Sequence, residues 1–382
     1  VYRRVTTSPG PAGVLHVCDK FGVRGSSIHG VTRLFSWWFP RYDAARFRVS
    51  LCGLKKPEPA SALLAAQGVP VEHLNRGAFD PRLLFDLVRL IRRRNARILH
   101  VHGYAAADFG RLAARLTGAA LVLHEHFADP RMPRYQAVAD FALKRMLDRA
   151  IAVSHSTREF LVRDRFVPAE RVRLIWNGAP LDEFAPAAPD AARRMRRELG
   201  LRENGLVVGA IGRLSEQKGH RFLIDAAARA LTRTPFQLLI VGDGDLMDSL
   251  KQRAEQAGIG DRCVFAGHRT DVPAVLAAID VLCISSIYEG TPLTLFEAMA
   301  AGKAVVSTAV DGCREVIEHE RNGLLVPSLD AEALAAALVR VLEDAELRRS
   351  LAEGALRASR KYDVRECVRQ MEALYDEVLA ER

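Results

Sequence analysis

The chain alternates short apolar runs with amphipathic stretches. In the first half, GVLHVC, FRVSLC, ARILHVH, ALVLHE, AIAV and RVRLIW read as strands buried on both faces. Between them, PRLLFDLVRLIRRR and AADFGRLAARLTG repeat apolar residues at helical spacing. A second series, LVVGAIG, FQLLIVG, CVFAG, VLCIS, AVVST and GLLV, alternates with helices in the same way. Such alternation predicts parallel sheets in an α/β fold, and 382 residues exceed one ordinary core. The Pro/Ala-rich, aperiodic segment Pro180 to Pro189 reads as a linker. We therefore expect two doubly wound domains, residues 1–185 and 186–362, facing each other across a cleft at the carboxyl ends of their strands. From Tyr362 on, Val364, Val368, Met371, Leu374, Tyr375 and Val378 recur at helical spacing and predict a terminal helix.

Two segments carry the candidate chemistry. Gly212-Arg213-Leu214-Ser215-Glu216-Gln217-Lys218-Gly219 ends one predicted strand and opens a helix near His220, the turn where α/β proteins bind phosphate. Glu289-Gly290-Thr291-Pro292-Leu293-Thr294 follows another strand and enters a helix, with Thr291 expected as N-cap and Pro292 as first helical residue. Arg213 offers a planar fork and Lys218 a mobile point charge, so together they can follow charge developing on a departing diphosphate. Gly212 and Gly219 let the backbone approach closely. Glu297 lies five residues beyond Pro292, about 7–8 Å along a helix, roughly the span from diphosphate to ribose. A carboxylate there can accept both ribose hydroxyls, while Glu289 faces a sugar beyond the diphosphate. Each segment alone could be a solvated loop; the two in this order describe a nucleotide-sugar site.

Composition narrows the setting. Residues 1–185 carry 29 Lys+Arg against 16 Asp+Glu, a net +13, whereas the remainder carries 26 against 30, a net −4. The basic half suits an anionic partner, such as a membrane surface, a lipid-phosphate acceptor or an acidic polysaccharide; nucleic acid is not expected. Solubility alone would also explain the charge. No apolar run reaches membrane-spanning length, and residues 1–13 lack a signal-peptide core, so a cytoplasmic protein, at most peripheral to the membrane, is expected. Six scattered cysteines without paired spacing predict neither disulfide nor zinc. VGDGD holds only half of a G-x-G-x-x-G turn, which disfavours hydride transfer.

GRLSEQKG and SSIYEGTPLTLFEAMAAGKAVVST resemble the donor-site motifs of retaining family 4 glycosyltransferases of the GT-B fold. HVHG, IAVSHSTREF, IWNGAPLDEF, VGDGD, GHRTDV and NGLLV match in register, so the resemblance covers nearly the whole chain. It implies diphosphate binding by Arg213 and Lys218, ribose binding by Glu297, and donor-sugar contact by Glu289 with the backbone amides of residues 291–294; Arg269 borders the base. It also implies a last helix, 363–382, that returns to the first domain. The reaction it implies is metal-independent, cofactor-free transfer with retention by front-face attack, from UDP-sugar or, next, GDP-mannose, to a glycan or glycolipid. A nucleotide-sugar epimerase of the same architecture, or an inactive paralogue that binds nucleotide sugars, would share these features.

The acceptor side is less sharply drawn. The turn Asp19 to Ser27 enters a helix and contributes Gly25, where the family commonly has two adjacent glycines. His100/His102 and His124/His126 end successive strands, each pair on one side of its strand, an arrangement that invites a metal but lacks a carboxylate or cysteine complement. By resemblance, His126 contacts the transferring sugar, with His124 as the fallback. The cluster Phe35, Trp37, Trp38, Phe39 and Tyr42 either forms an exposed surface for a lipid or sugar ring or fills the core face of a helix. Arg89, Arg92, Arg93, Arg94 and Arg97 read as a solvated helix end.

Overall fold

The protein is described from a computed structural model over residues 10–22 and 30–382. The first sheet contains β1 Ala12–Cys18, β2 Phe47–Gly53, β3 Val71–His73, β4 Ala96–His102, β5 Ala120–Glu125, β6 Arg149–Ala152 and β7 Val172–Leu174, in the order β3-β2-β1-β4-β5-β6-β7. The second contains β8 Leu206–Ile211, β9 Phe236–Val241, β10 Cys263–Gly267, β11 Val281–Ile284, β12 Ala304–Thr308 and β13 Leu324–Val326, in the order β10-β9-β8-β11-β12-β13. Every strand pair is parallel. Strand order reverses beside β1 in one sheet and beside β8 in the other, which creates a crevice at the carboxyl ends of β1/β4 and β8/β11. The short strand β3 was not foreseen. Its three residues are all only half-buried, so they carry no apolar alternation to read.

The connection between the sheets is pinned. Ala179 N donates to the Tyr362 carbonyl and Val364 N to the Ala179 carbonyl, both at 3.0 Å, so the outgoing and returning chains pair. Gly178 is required there because a Cβ would overlap the Asp363–Val364 backbone. The expected linker is irregular through Ala188, yet Phe184 is buried against Trp37. The last helix, Val364–Ala380, buries its apolar stripe and meets the first sheet through Tyr375, whose hydroxyl lies 2.5 Å from His100 Nδ1. Glu372 accepts from Asp43 N at 2.6 Å and Arg46 at 3.0 Å, and Arg149 donates to Glu377 at 2.9 Å.

The aromatic cluster resolves as core. Phe35, Trp37, Trp38 and Tyr42 are buried, packed between the first helix, Gly30–Trp38, the sheet and the last helix. Burial on several sides, by sheet, linker and returning helix, accommodates more aromatics than one helix face would. The basic helix Arg82–Arg94 ends at Asn95 in the left-handed conformation; its arginines are exposed, as a solvated helix end requires, and Arg93 and Arg94 also pair at the surface with Glu72. All six cysteines are free, five of them buried. Among the described residues no helix is long and apolar enough to cross a membrane.

Candidate active site

The loops after β8 and β11 meet. Gly219, in the left-handed region at φ +62°, lies so close to the Ser285 carbonyl that a Cβ would overlap it, and Ile287 N donates to the Gln217 carbonyl at 2.7 Å. This seats Lys218 against Glu289: Nζ stands 2.5 Å from Oε1, which also accepts from Ser286 Oγ at 2.6 Å. The two groups assigned from the motifs to diphosphate and to sugar thus pair with each other. Spacing alone gave no sign of this pairing. Arg213 Nη2 donates to Gln217 Oε1 at 3.2 Å, and Gln217 Nε2 donates to the Tyr288 carbonyl at 3.1 Å, so one glutamine ties both loops to the arginine.

Glu297 occupies the second turn of the helix Leu293–Ala300 and is fully buried. Neither carboxylate oxygen has a hydrogen-bond donor among the described residues. Arg33 Nη1, from the first helix of the other domain, stands 2.9 Å from Oε1 as an ion pair without hydrogen-bond alignment. Burial raises the Glu297 pKa and the Arg33 charge partly opposes that shift. Arg33 was missed: nothing in its spacing distinguishes it from a solvated helix cation.

Thr291 does not cap this helix. Its hydroxyl donates to the Val153 carbonyl across the cleft at 2.9 Å, and Pro292, extended at φ −69° and ψ 124°, takes the cap position. The first amides of the helix, at Leu293 and Thr294, have no carbonyl within the helix to donate to. Gly290 packs so closely that a Cβ would overlap the His126 carbonyl oxygen, and the equivalent atom on Gly312 would overlap the Gly290 carbonyl oxygen. The motif backbone is therefore wedged between the two domains. Glu315 adds a further tie by accepting from His155 N at 2.6 Å and Ser156 N at 3.0 Å, at the start of the helix His155–Arg163.

Gly212 lies at the carboxyl end of β8, where Lys218 crosses it. The Arg269 guanidinium is held by Asp271 at 2.5 Å and Glu198 at 2.8 Å. Gly25 lies outside the described residues. The preceding amides of Phe21 and Gly22 donate to Glu58 Oε2 at 2.6 and 2.9 Å, which anchors the entry to that turn.

His126, half-buried, is the outer end of a chain of otherwise buried rings. His126 Nε2 lies 3.0 Å from His102 Nδ1, His102 Nε2 lies 3.1 Å from His16 Nδ1, and His16 Nε2 lies 3.4 Å from the Tyr42 and Tyr375 hydroxyls. The chain continues through Tyr375 to His100 and from His100 Nε2 to His124 Nδ1 at 3.1 Å. His16 went unremarked in the sequence, although β1 pairs with β4 so that His16 faces His100. Burial depresses the pKa of His16 to about 3 and holds His100, His102 and His124 well below the usual imidazole value, so these rings are neutral. Two trios, His16/His100/His102 and His102/His124/His126, bring ring nitrogens within 4.8 Å of one another. Both nitrogens of His16, His100 and His102 already meet ring or hydroxyl neighbours, which is the pattern of a chain rather than of ligands converging on one point.

Two Rossmann-like sheets facing one crevice, with the last helix returning to the first, define the GT-B class of architecture. Residues 192–357 match the family model "Glycosyl transferases group 1", and residues 33–183 match "Glycosyltransferase Family 4". The chain is 30% identical to the UDP-Gal:alpha-D-GlcNAc-diphosphoundecaprenol alpha-1,3-galactosyltransferase of Escherichia coli over 69% of its own length and 71% of that protein's. It is 31% identical to the 2-deoxystreptamine glucosyltransferase of Streptomyces kanamyceticus, over 69% of its own length and 74% of that protein's. Among solved structures, Anabaena HepE in complex with UDP superposes with a TM-score of 0.84 at 24% identity, over 96% of this chain and 100% of that one. The chain belongs to glycosyltransferase family 4, with the GT-B fold, and is a glycosyltransferase.

Proposed function

We propose that the protein transfers a sugar, with retention, from a UDP-sugar to a hydroxyl of a glycan or glycolipid. The observation that carries this reading is Glu297: a fully buried carboxylate that, among the described residues, has an ion-pair partner in Arg33 but no aligned hydrogen-bond donor, one helical turn beyond the Leu293 and Thr294 amides on the helix that follows Glu289. A buried carboxylate left in that condition is stabilised by a ligand that brings hydroxyl donors, as ribose does. The diphosphate then lies toward Lys218, Arg213 and the helix-terminal amides, and Glu289 orients the sugar once Lys218 turns to the phosphates. His126, beside the Gly290 backbone, faces the same sugar from the first domain. In the reaction the acceptor oxygen bonds to the anomeric carbon as the bond from that carbon to the phosphate oxygen breaks. The acceptor proton passes to the departing oxygen, and no metal is required for charge balance.

UDP is favoured over GDP by the donor named for the Escherichia coli relative and by the UDP bound to the structural neighbour. The same relative's name specifies a lipid-diphosphate acceptor, which suits the basic first half. An epimerase would need no acceptor, and the named relatives are transferases. Calorimetry with UDP and GDP, on the wild type and on Glu297→Gln, tests the reading. UDP should bind more tightly than GDP, and the substitution should weaken it; equal, unaffected binding of both nucleotides would overturn the ribose assignment.

A further inference from the structure

The helix Arg134–Leu143 is inverted relative to a water-facing helix. Its inward side carries Gln136 and Asp140, both fully buried. Arg165 holds Asp140 by two hydrogen bonds at 2.8 and 3.0 Å, Arg111 reaches it at 2.7 Å, and Gln136 donates to Asp108 at 3.0 Å. Its outward side carries Tyr135, Val138 and Phe141, exposed to 54, 70 and 54%. Helices that face water place these classes the other way round. The apolar side continues onto neighbouring segments, since Phe79 meets Tyr135 edge-on at 5.6 Å and Phe141 meets Phe166 at 5.4 Å. A contiguous exposed apolar surface of this kind marks an interaction site rather than scattered surface hydrophobics.

Its charge identifies the occupant. From Arg131 to Arg145 the sole acid is the buried Asp140, and although the Arg131 backbone amide donates to Asp129, the side chains of Arg131, Arg134, Lys144 and Arg145 flank the exposed aromatics without a carboxylate partner among the described residues. Lys144 Nζ sits 3.8 Å above the Phe141 ring, pairing cation with aromatic as at a headgroup boundary. A second protein surface would have to supply several acids around an apolar patch, whereas an anionic bilayer supplies both at once. We propose that this helix docks the protein on an anionic phospholipid membrane. It begins eight residues beyond His126, no more than about 28 Å of extended chain, so a docked bilayer lies within reach of the cleft. This inference rests on the reading of the acceptor as lipid-linked, and it replaces Trp37 and Trp38, which are buried, as the membrane contact.

Vesicle flotation tests it on the full chain, with phosphatidylglycerol-containing vesicles against pure phosphatidylcholine at roughly 0.05 M and 0.5 M salt. Wild type should float with anionic vesicles at low salt and be released at high salt. Val138→Ser/Phe141→Ser and, separately, Gln at Arg131, Arg134, Lys144 and Arg145 should each weaken flotation at least about tenfold. Gln at Arg89 and Arg92, exposed on the helix Arg82–Arg94, should change it less than about twofold, which would place docking on the inverted helix. Thermal midpoint and UDP affinity should be unchanged in all these variants, since the side chains are at least partly exposed and none is among the site residues around Glu297. Wild type that ignores anionic vesicles at low salt overturns the proposal, as does equal flotation of the inverted-helix variants. So does a dimer that those variants dissociate, which would make the face an interface between copies. UDP binding and transfer to a water-soluble acceptor, measured without lipid, report on the proposed function independently of all these outcomes.

Discussion

Arg33 Nη1, on the first helix of one domain, stands 2.9 Å from Glu297 Oε1, on a helix of the other. This cation is the partner of a carboxylate that, on the proposed reading, serves ribose when the donor binds. Replacing it should therefore act in opposite directions on the two states. Arg33→Ala should lower the ligand-free thermal midpoint by leaving a buried charge unpaired, and should enlarge the upward shift produced by UDP. Glu297→Gln should weaken UDP at least about tenfold, as expected for losing charge-assisted hydrogen bonds. A differential thermal scan with and without UDP checks both. Loss of UDP affinity in Arg33→Ala would mean that the arginine holds the donor rather than standing in for it.

Lys218 and Glu289 form the second coupled pair, and the coupling predicts a separation of effects. Lys218→Ala and Arg213→Ala should each reduce turnover by about 10²–10³, the usual consequence of losing one stabiliser of a departing anion. Arg213→Lys should also be impaired because the planar fork is lost. Glu289→Gln, by contrast, should leave affinity for UDP intact or slightly increased, since Lys218 is released, while turnover and discrimination among sugars fall. Steady-state kinetics with calorimetry on UDP and on the intact donor separates these outcomes. Near-normal turnover in both cation variants would place the diphosphate elsewhere.

The strands and the two motif loops were legible because their signals are local. Buried parallel strands read as continuous apolar runs, and a Gly-flanked turn between strand and helix has a recognisable composition. What escaped depends on contacts between distant segments. Thr291 looks like a helix cap until the Val153 carbonyl, 138 positions away, takes its hydroxyl. Trp37 and Trp38 look surplus to one helix face until the linker and the last helix supply further walls. Arg33 becomes notable only when the domains close on each other, and His16 only when β1 and β4 fall into register. The inverted helix was hidden for the same reason, because Asp140 reads as a solvated residue without Arg111 and Arg165 beside it.

Metal dependence follows from the same contacts. On the proposed reading, Arg213, the helix-terminal amides at Leu293 and Thr294, and Lys218 once it leaves Glu289, balance the diphosphate charge, so transfer should persist in excess chelator. Assaying turnover with and without chelator, then after adding back divalent ions, is decisive. A complete loss that metal restores would turn attention to the His16/His100/His102 and His102/His124/His126 trios.

The neutral histidines make an acid-stability prediction whose sign is fixed by their shifts. Burial lowers the folded pKa of His16 to about 3 and of His220 to about 4, and holds His100, His102 and His124 well below their unfolded value near 6.5. Below that unfolded value the denatured chain takes up protons that the folded chain does not, so folding stability falls as pH falls. Each such histidine contributes a slope of about 1.4 kcal/mol per pH unit once its unfolded form titrates. Raised carboxyl groups, Glu125 and Glu297 among them, act in the opposite sense, because the folded chain binds their protons first. Their opposition runs from the ordinary carboxyl range up to their raised folded values, so it offsets part of the histidine slope as pH falls. Urea midpoints should therefore drop clearly between pH 7.5 and 5.5, a loss that is large beside a typical total stability of about 5–15 kcal/mol. His16→Gln should lower stability at pH 7.5 but show a smaller drop over the same interval, by about one proton's worth of slope. A midpoint that is flat from pH 7.5 to 5.5 would mean that the rings accept protons in the folded state, and that the chain from His126 to His124 is open to water.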